Sequence, residues 1–146
     1  MTEPQIDYVA VFQNIPIPAL LLTPGFVIAD VNLAYLRAAG RTRDELLGRN
    51  VFDAFPDNPS DPEATGVRNL KASLRRVLAT GQTDIMPAQK YDVEVAGSDG
   101  LFERRYWCQV NAPVPGREGQ VVLIVHCAED VTDRVRKFVA AQTGSA

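Results

Sequence analysis

An α+β fold is predicted for this 146-residue chain: a five-stranded antiparallel sheet with helices on one face, a helix before it and a helix after it. Three observations lead there. Strand-like segments fall in two groups, with helix-like segments gathered between them, the segregation typical of α+β domains. Short Gly-containing turns join the strand-like runs, which makes them antiparallel neighbours. One long segment, Val67 to Thr80, has a strong helical period, with Val67, Leu70, Leu74, Val77 and Leu78 on one stripe.

The elements follow in order. Asp7 to Asn14 reads as a short helix whose residues Ile6, Val9 and Phe12 form an apolar stripe. Ile15-Pro16-Ile17-Pro18 ends it, because proline blocks continuation. Ala19 to Leu22 and Phe26 to Val31 read as a strand pair around Thr23-Pro24-Gly25. Asn32 has the chemistry of a helix N-cap, and the helix it starts stops at Gly40. Thr42, with Glu45 three residues on, forms a capping-box pattern for the next helix, which ends at Gly48. Asn50 to Phe55 is a short, partly helical piece, and Pro56 to Gly66 a loop rich in Pro, Asp and Asn. After the long helix, Thr83 to Val95 holds a strand near Tyr91, Val93 and Val95. Leu101 to Val114 and Gln120 to Val131 read as two long strands, and Asp133 to Gln142 as a final helix. The expected organisation is a flanking helix over 1–16, a core over 17–132 and a signalling helix or linker over 133–146.

Composition removes several function classes. Hydrophobic residues at 46% and charged residues at 23% describe an ordinary globular domain. A net charge of −3 gives no basic footprint for nucleic acid. The N-terminus lacks a signal-peptide pattern, and no apolar run approaches the roughly 20 residues of a membrane span. A cytoplasmic location is expected. Cys108 and Cys127 have no zinc-like spacing and read as reduced thiols. There is no Gly-rich phosphate loop, no readable nucleophile–base set and no metal cluster, so the chain is not expected to be an enzyme.

Five motifs in order then carry a resemblance. Val31-Asn32-Leu33-Ala34-Tyr35 with Gly40 is a strand-to-helix segment, and Thr42-Arg43-Asp44-Glu45-Leu46-Leu47-Gly48-Arg49-Asn50 a capped turn. Tyr106-Trp107 with Ala112-Pro113-Val114, the hairpin Arg117-Glu118-Gly119, and the closing Glu129-Asp130-Val131-Thr132-Asp133-Arg134 complete the set. Together they resemble the PAS family, in its bacterial branch of multidomain signalling proteins. The resemblance covers about Asp7 to Arg134. It implies a sensory or dimerisation module that regulates an effector in cis or in trans, such as a histidine kinase of a two-component system, a phosphatase or a cyclase. It also implies a homodimer.

The resemblance sharpens three questions. Light-oxygen-voltage members carry a reactive Cys after Gly-Arg-Asn; here Gly48-Arg49-Asn50 is followed by Val51, so no cysteinyl-flavin adduct is expected. Haem-binding members take an axial His from the long helix, which has none here, so haem is disfavoured and no cofactor is expected. His126, the only histidine, falls on the last strand on the side that relatives turn toward a core pocket. Its two readings are a buried, hydrogen-bonded core residue and a polar contact to a small ligand. Phe52, Phe55, Leu70, Leu74, Tyr91, Tyr106, Cys108 and Val110 are the other pocket candidates. The alternative is a ligand-independent interaction scaffold whose core these side chains fill. Alternation turns Trp107 away from the pocket, making it a dimer-interface candidate with Ile6, Val9 and Phe12. Asp130, Thr132 and Arg134 are the expected output, with Thr132 capping the exit helix and Arg134 tied back to Asp130.

Overall fold

A computed structural model describes residues 3–144; residues 1–2 and 145–146, the outer ends of the expected flanks, lie outside the described residues. The chain begins with α1 (Tyr8–Asn14), whose first turn is capped by Asp7 accepting from Ala10 N at 3.1 Å. Strands β1 (Ala19–Leu22) and β2 (Ile28–Val31) pair antiparallel. Helices α2 (Leu33–Ala39), α3 (Arg43–Leu46), α4 (Val51–Ala54) and α5 (Gly66–Thr80) follow. Then come the short strands β3 (Asp84–Ile85), β4 (Gln89–Lys90), β5 (Val93–Glu94) and β6 (Phe102–Glu103). The long strands β7 (Tyr106–Pro115) and β8 (Val121–Asp130) lead into α6 (Thr132–Thr143).

The main sheet runs β2-β1-β8-β7-β3, with β4 also paired to β7. All its pairs are antiparallel. The expected third strand is therefore broken. Pro87, which has no N–H to give a ladder, sits in the gap between β3 and β4. Beyond it the chain leaves the sheet, and β5 pairs with β6 in a separate ribbon. The expected strand over Leu101 to Val114 is likewise split, between β6 and β7.

Local chemistry sets the helix ends. Asn32 is fully buried and makes four bonds. Its Oδ1 accepts from Tyr35 N and from Ala19 N, both at 3.0 Å, and its Nδ2 donates to Ile17 O at 2.8 Å and Ile15 O at 3.3 Å. One side chain thus caps α2 and clamps it to the start of β1. Gly40 ends that helix in the left-handed region, where a Cβ would be strained. Leu70, Leu74 and Val77 of α5 pack into a core with Leu20, Leu22, Val31 and Ile124 of the sheet, each 2% exposed or less.

Candidate functional site

The inner face of the sheet is set by alternation along its two long strands. On β7 the buried residues are Trp107, Gln109 and Asn111; on β8 they are Ile124, His126 and Ala128. Register confirms the faces, since Asn111 lies opposite His126 and Gln109 opposite Ala128. A cavity opens over this patch. Trp107, Gln109, His126 and Ala128 form its floor; Leu70 of α5, Phe55 after α4 and Tyr35 of α2 wall it; Tyr91, Val93 and Phe102 close one side. The space reachable by the centre of a water molecule is about 40 Å³.

Of the nine pocket candidates, Phe55, Leu70, Tyr91 and His126 line this cavity. Leu74 is fully buried in the core but does not line the cavity. Phe52 turns toward Phe26, ring centres 5.9 Å apart, with the Lys71 ammonium 5.1 Å above its ring. Tyr106, Cys108 and Val110 are corrected: they point to the opposite, half-exposed face of β7. Trp107 is corrected with them. It is 8% exposed, floors the cavity and donates from Nε1 to Tyr91 O at 2.9 Å, so its side chain is not free for an interface. The physical reason is an inverted strand. Along β7 the apolar residues Tyr106, Cys108, Val110 and Ala112 alternate with the polar Gln109 and Asn111, and the structure buries the polar set because each member finds a partner. Sequence reasoning missed Tyr35, Trp107 and Gln109. A polar pair spaced two apart opposite a histidine was the available signal.

The floor is polar and internally bonded. His126, 1% exposed, sits with Nδ1 at 2.7 Å from Asn111 Oδ1. Burial pushes its pKa down to about 4, so the imidazole is neutral at pH 7. Gln109 Oε1 accepts from Gln89 Nε2 at 2.6 Å. Tyr91, 7% exposed, donates to Phe55 O at 2.5 Å, and burial drives its phenol pKa up, so it stays neutral as well. Three charged residues stand in the cavity wall: Arg41, Glu94 and Asp92. The Arg41 guanidinium lies 5.9 Å over the Phe55 ring, between Glu45 and Glu94, and its Nε has no partner. Asp92 gives one oxygen to Asn58 and Lys90, and its Oδ1 has none. Both thiols lie on the outer face of the sheet, Val51 lines the cavity in the position after Gly48-Arg49-Asn50, and no group of three metal-ligating side chains occurs among the described residues.

The strand that floors the cavity also leads out of it. β8 ends four residues beyond His126, and Thr132 opens α6. Thr132 Oγ1 accepts from Tyr106 N at 3.0 Å and bonds Asp130 Oδ1 at 2.5 Å, while its backbone N donates to the same oxygen at 2.9 Å. Asp130 also takes Arg105 Nη1 at 3.0 Å. Partial burial works against the ionised Asp130, but the Thr132 and Arg105 bonds outweigh it and hold its pKa low. Two expectations are corrected here. Thr132 is the first helical residue and caps nothing with its side chain, because its hydroxyl is spent on β7. Arg134 pairs with Glu129, since Arg105 already occupies Asp130.

Ile6 and Val9 of the N-terminal segment are 57% and 69% exposed, and Phe12 is half-buried. No described helix is long and apolar enough to cross a membrane.

Comparison with known proteins fits this architecture. The family model of the PAS fold matches residues 12–136, and the chain belongs to that family. None of the curated proteins matches it. Among solved structures it is similar to the PAS domain of a protein from Colwellia psychrerythraea, at 12% identity and a TM-score of 0.65, covering 87% of this chain and 96% of that one. It is similar to a sensory box sensor histidine kinase from Vibrio cholerae, at 17% identity, TM-score 0.57, covering 86% and 89%. An RNA-binding light-oxygen-voltage receptor is similar at 19% identity and TM-score 0.67, over 88% of this chain and 33% of the receptor. At these identities the likeness is one of fold.

Proposed function

We propose that the chain is a non-catalytic sensor that binds a small molecule in the cavity beneath α2 and α5 and passes occupancy to a regulated effector through β8 and α6. One observation carries this reading: His126 and Ala128 floor the cavity on the same strand whose end, Asp130, is bolted to Thr132 at the start of α6. A ligand that prefers one position of β8 shifts the population of α6 by its difference in affinity for the two states. The outer sheet face supports a homodimer, since Cys108, Val110, Ala112, Val125 and Cys127 form an apolar, half-exposed surface there. The exposed stripe of α1 adds to the apolar surface available to a second subunit.

Hydrogen exchange over residues 130–143, with and without phenol as a cavity probe, tests the output. Phenol saturating the fluorescence of Trp107, the chain's only tryptophan, is expected to change protection in α6. Thr132→Ala is expected to abolish that change while leaving the Trp107 response. Saturated binding with α6 exchange unaltered would refute the coupling.

A further inference from the structure

Five side chains form an unbroken hydrogen-bonded line from the protein surface to the cavity. Arg76 donates from Nε and Nη2 to the two oxygens of Asp84, at 3.1 and 2.9 Å. Ser73 Oγ lies 2.5 Å from Asp84 Oδ2, Asn111 Nδ2 lies 2.9 Å from Ser73 Oγ, and His126 Nδ1 lies 2.7 Å from Asn111 Oδ1. Ser73 and Asn111 are fully buried and His126 nearly so, leaving no water-facing alternative for these groups.

The direction of every bond in this line is forced from the surface inward. A guanidinium only donates and an ionised carboxylate only accepts. The Arg76 and Ser73 bonds keep Asp84 ionised. Ser73 therefore spends its one proton on Asp84, and its oxygen is left to accept from Asn111. The amide nitrogen of Asn111 must face Ser73. Met86 Sδ, 3.5 Å from the same nitrogen and itself an acceptor, requires the same orientation. The amide oxygen then faces His126, so Nδ1 carries the proton. The opposite ring nitrogen, Nε2, keeps its lone pair and has no partner among the described residues. Near it on the floor, Gln109 spends its oxygen on Gln89, which leaves its Nε2 as a donor.

Size completes the specification. One water needs about 10–15 Å³ of such space, so the cavity holds about three, and a ligand within it is no larger than a single ring. We infer that the ligand is a molecule no larger than a single ring that donates a hydrogen bond to His126 Nε2, and that Asn111, Ser73 and Asp84 are the positioning residues that impose this demand. The inference rests on the cavity being a ligand site. A ring that only accepts would set its lone pair against that of Nε2, and a carboxylate or phosphate would do so with a full charge.

Phenol, toluene and pyridine are matched single-ring probes: donor, neither, and acceptor. Trp107 fluorescence reads their binding. Long-range proton–nitrogen NMR of the only histidine reads its tautomer without any ligand. The expected result is protonated Nδ1, unprotonated Nε2, and phenol binding about tenfold or more tighter than pyridine. Asn111→Leu removes the Nδ1 partner and is expected to reverse the preference toward pyridine. Asp84→Ala, at the solvent end, is expected to mix the tautomers and narrow the phenol-to-pyridine ratio while toluene affinity holds. A purely structural role would weaken all three probes together. Protonated Nε2 in the wild type, or equal affinity for phenol and pyridine, overturns the inference and leaves the cavity as a binding site. Failure of all three probes to bind overturns the ligand reading itself, and the assigned ligand class with it.

Discussion

Acidification from pH 7 to pH 4.5 acts on one buried group before any other with a resolved shift. His126 titrates near 6.5 in the unfolded chain, and burial lowers its pKa to about 4 in the folded protein. Between those values the unfolded chain binds more protons than the folded one. Stability is therefore complete above about pH 6.5 and falls as the pH drops toward 4. At about 1.4 kcal/mol per tenfold change in proton affinity, the loss by pH 4.5 is roughly 2–3 kcal/mol, a large share of the ~5–15 kcal/mol of an ordinary domain. Asp61, Asp84 and Asp130 have lowered pKa values, so their contributions are present above about 3.8 and are lost below it, outside this window. Urea denaturation followed by Trp107 fluorescence measures the effect. His126→Gln preserves a partner for Asn111 but does not titrate, and its stability is expected to stay level over the same range. Parallel curves for wild type and variant, or a folded-state histidine pKa of 6 or above by NMR, would refute the reasoning.

Three further outcomes are expected. In Gly66→Ala the new Cβ would stand 2.6 Å from the Tyr91 ring, which is pinned through its hydroxyl, so stability should fall by about 1–3 kcal/mol with a shift in Trp107 emission. Asn32→Ala strands two N–H groups and two carbonyls at the joint of β1 and α2, and about 3 kcal/mol should be lost in chemical denaturation. Thr132→Val removes the acceptor of Tyr106 N, and exchange should quicken at Tyr106 and in the first turn of α6, at a cost of about 1–2 kcal/mol, with the cavity signal of Trp107 little changed.

Much of the fold was legible because local chemistry acts over a few residues. Asn32, Thr42 and Gly40 announced their helix ends, and each occupies the cap or stop expected of it. The spacing of Leu70, Leu74 and Val77 announced the buried face of α5. The side of β8 facing the core was legible too, because Ile124 and Ala128 share it with His126. The side of β7 was not. Hydropathy along that strand favours Tyr106, Cys108 and Val110, whereas the buried side is chosen by Ser73, Gln89 and His126, which lie far off in sequence and satisfy Gln109 and Asn111. A one-residue change of parity reverses every assignment on a strand, which is why Trp107 moved from expected surface to cavity floor. The exit-helix contacts were hidden for a similar reason: Tyr106 and Arg105, on and beside β7, compete for the groups that sequence proximity would have given to α6 and Arg134.

Native mass spectrometry of the protein isolated from the cells that make it tests the central claim most directly. The expected result is a small molecule retained by the wild type and lost in Ala128→Leu, whose larger side chain would fill the cavity floor. A clean unliganded mass for the wild type, together with no response of Trp107 to any single-ring probe, would contradict it and leave a packed interaction scaffold in its place.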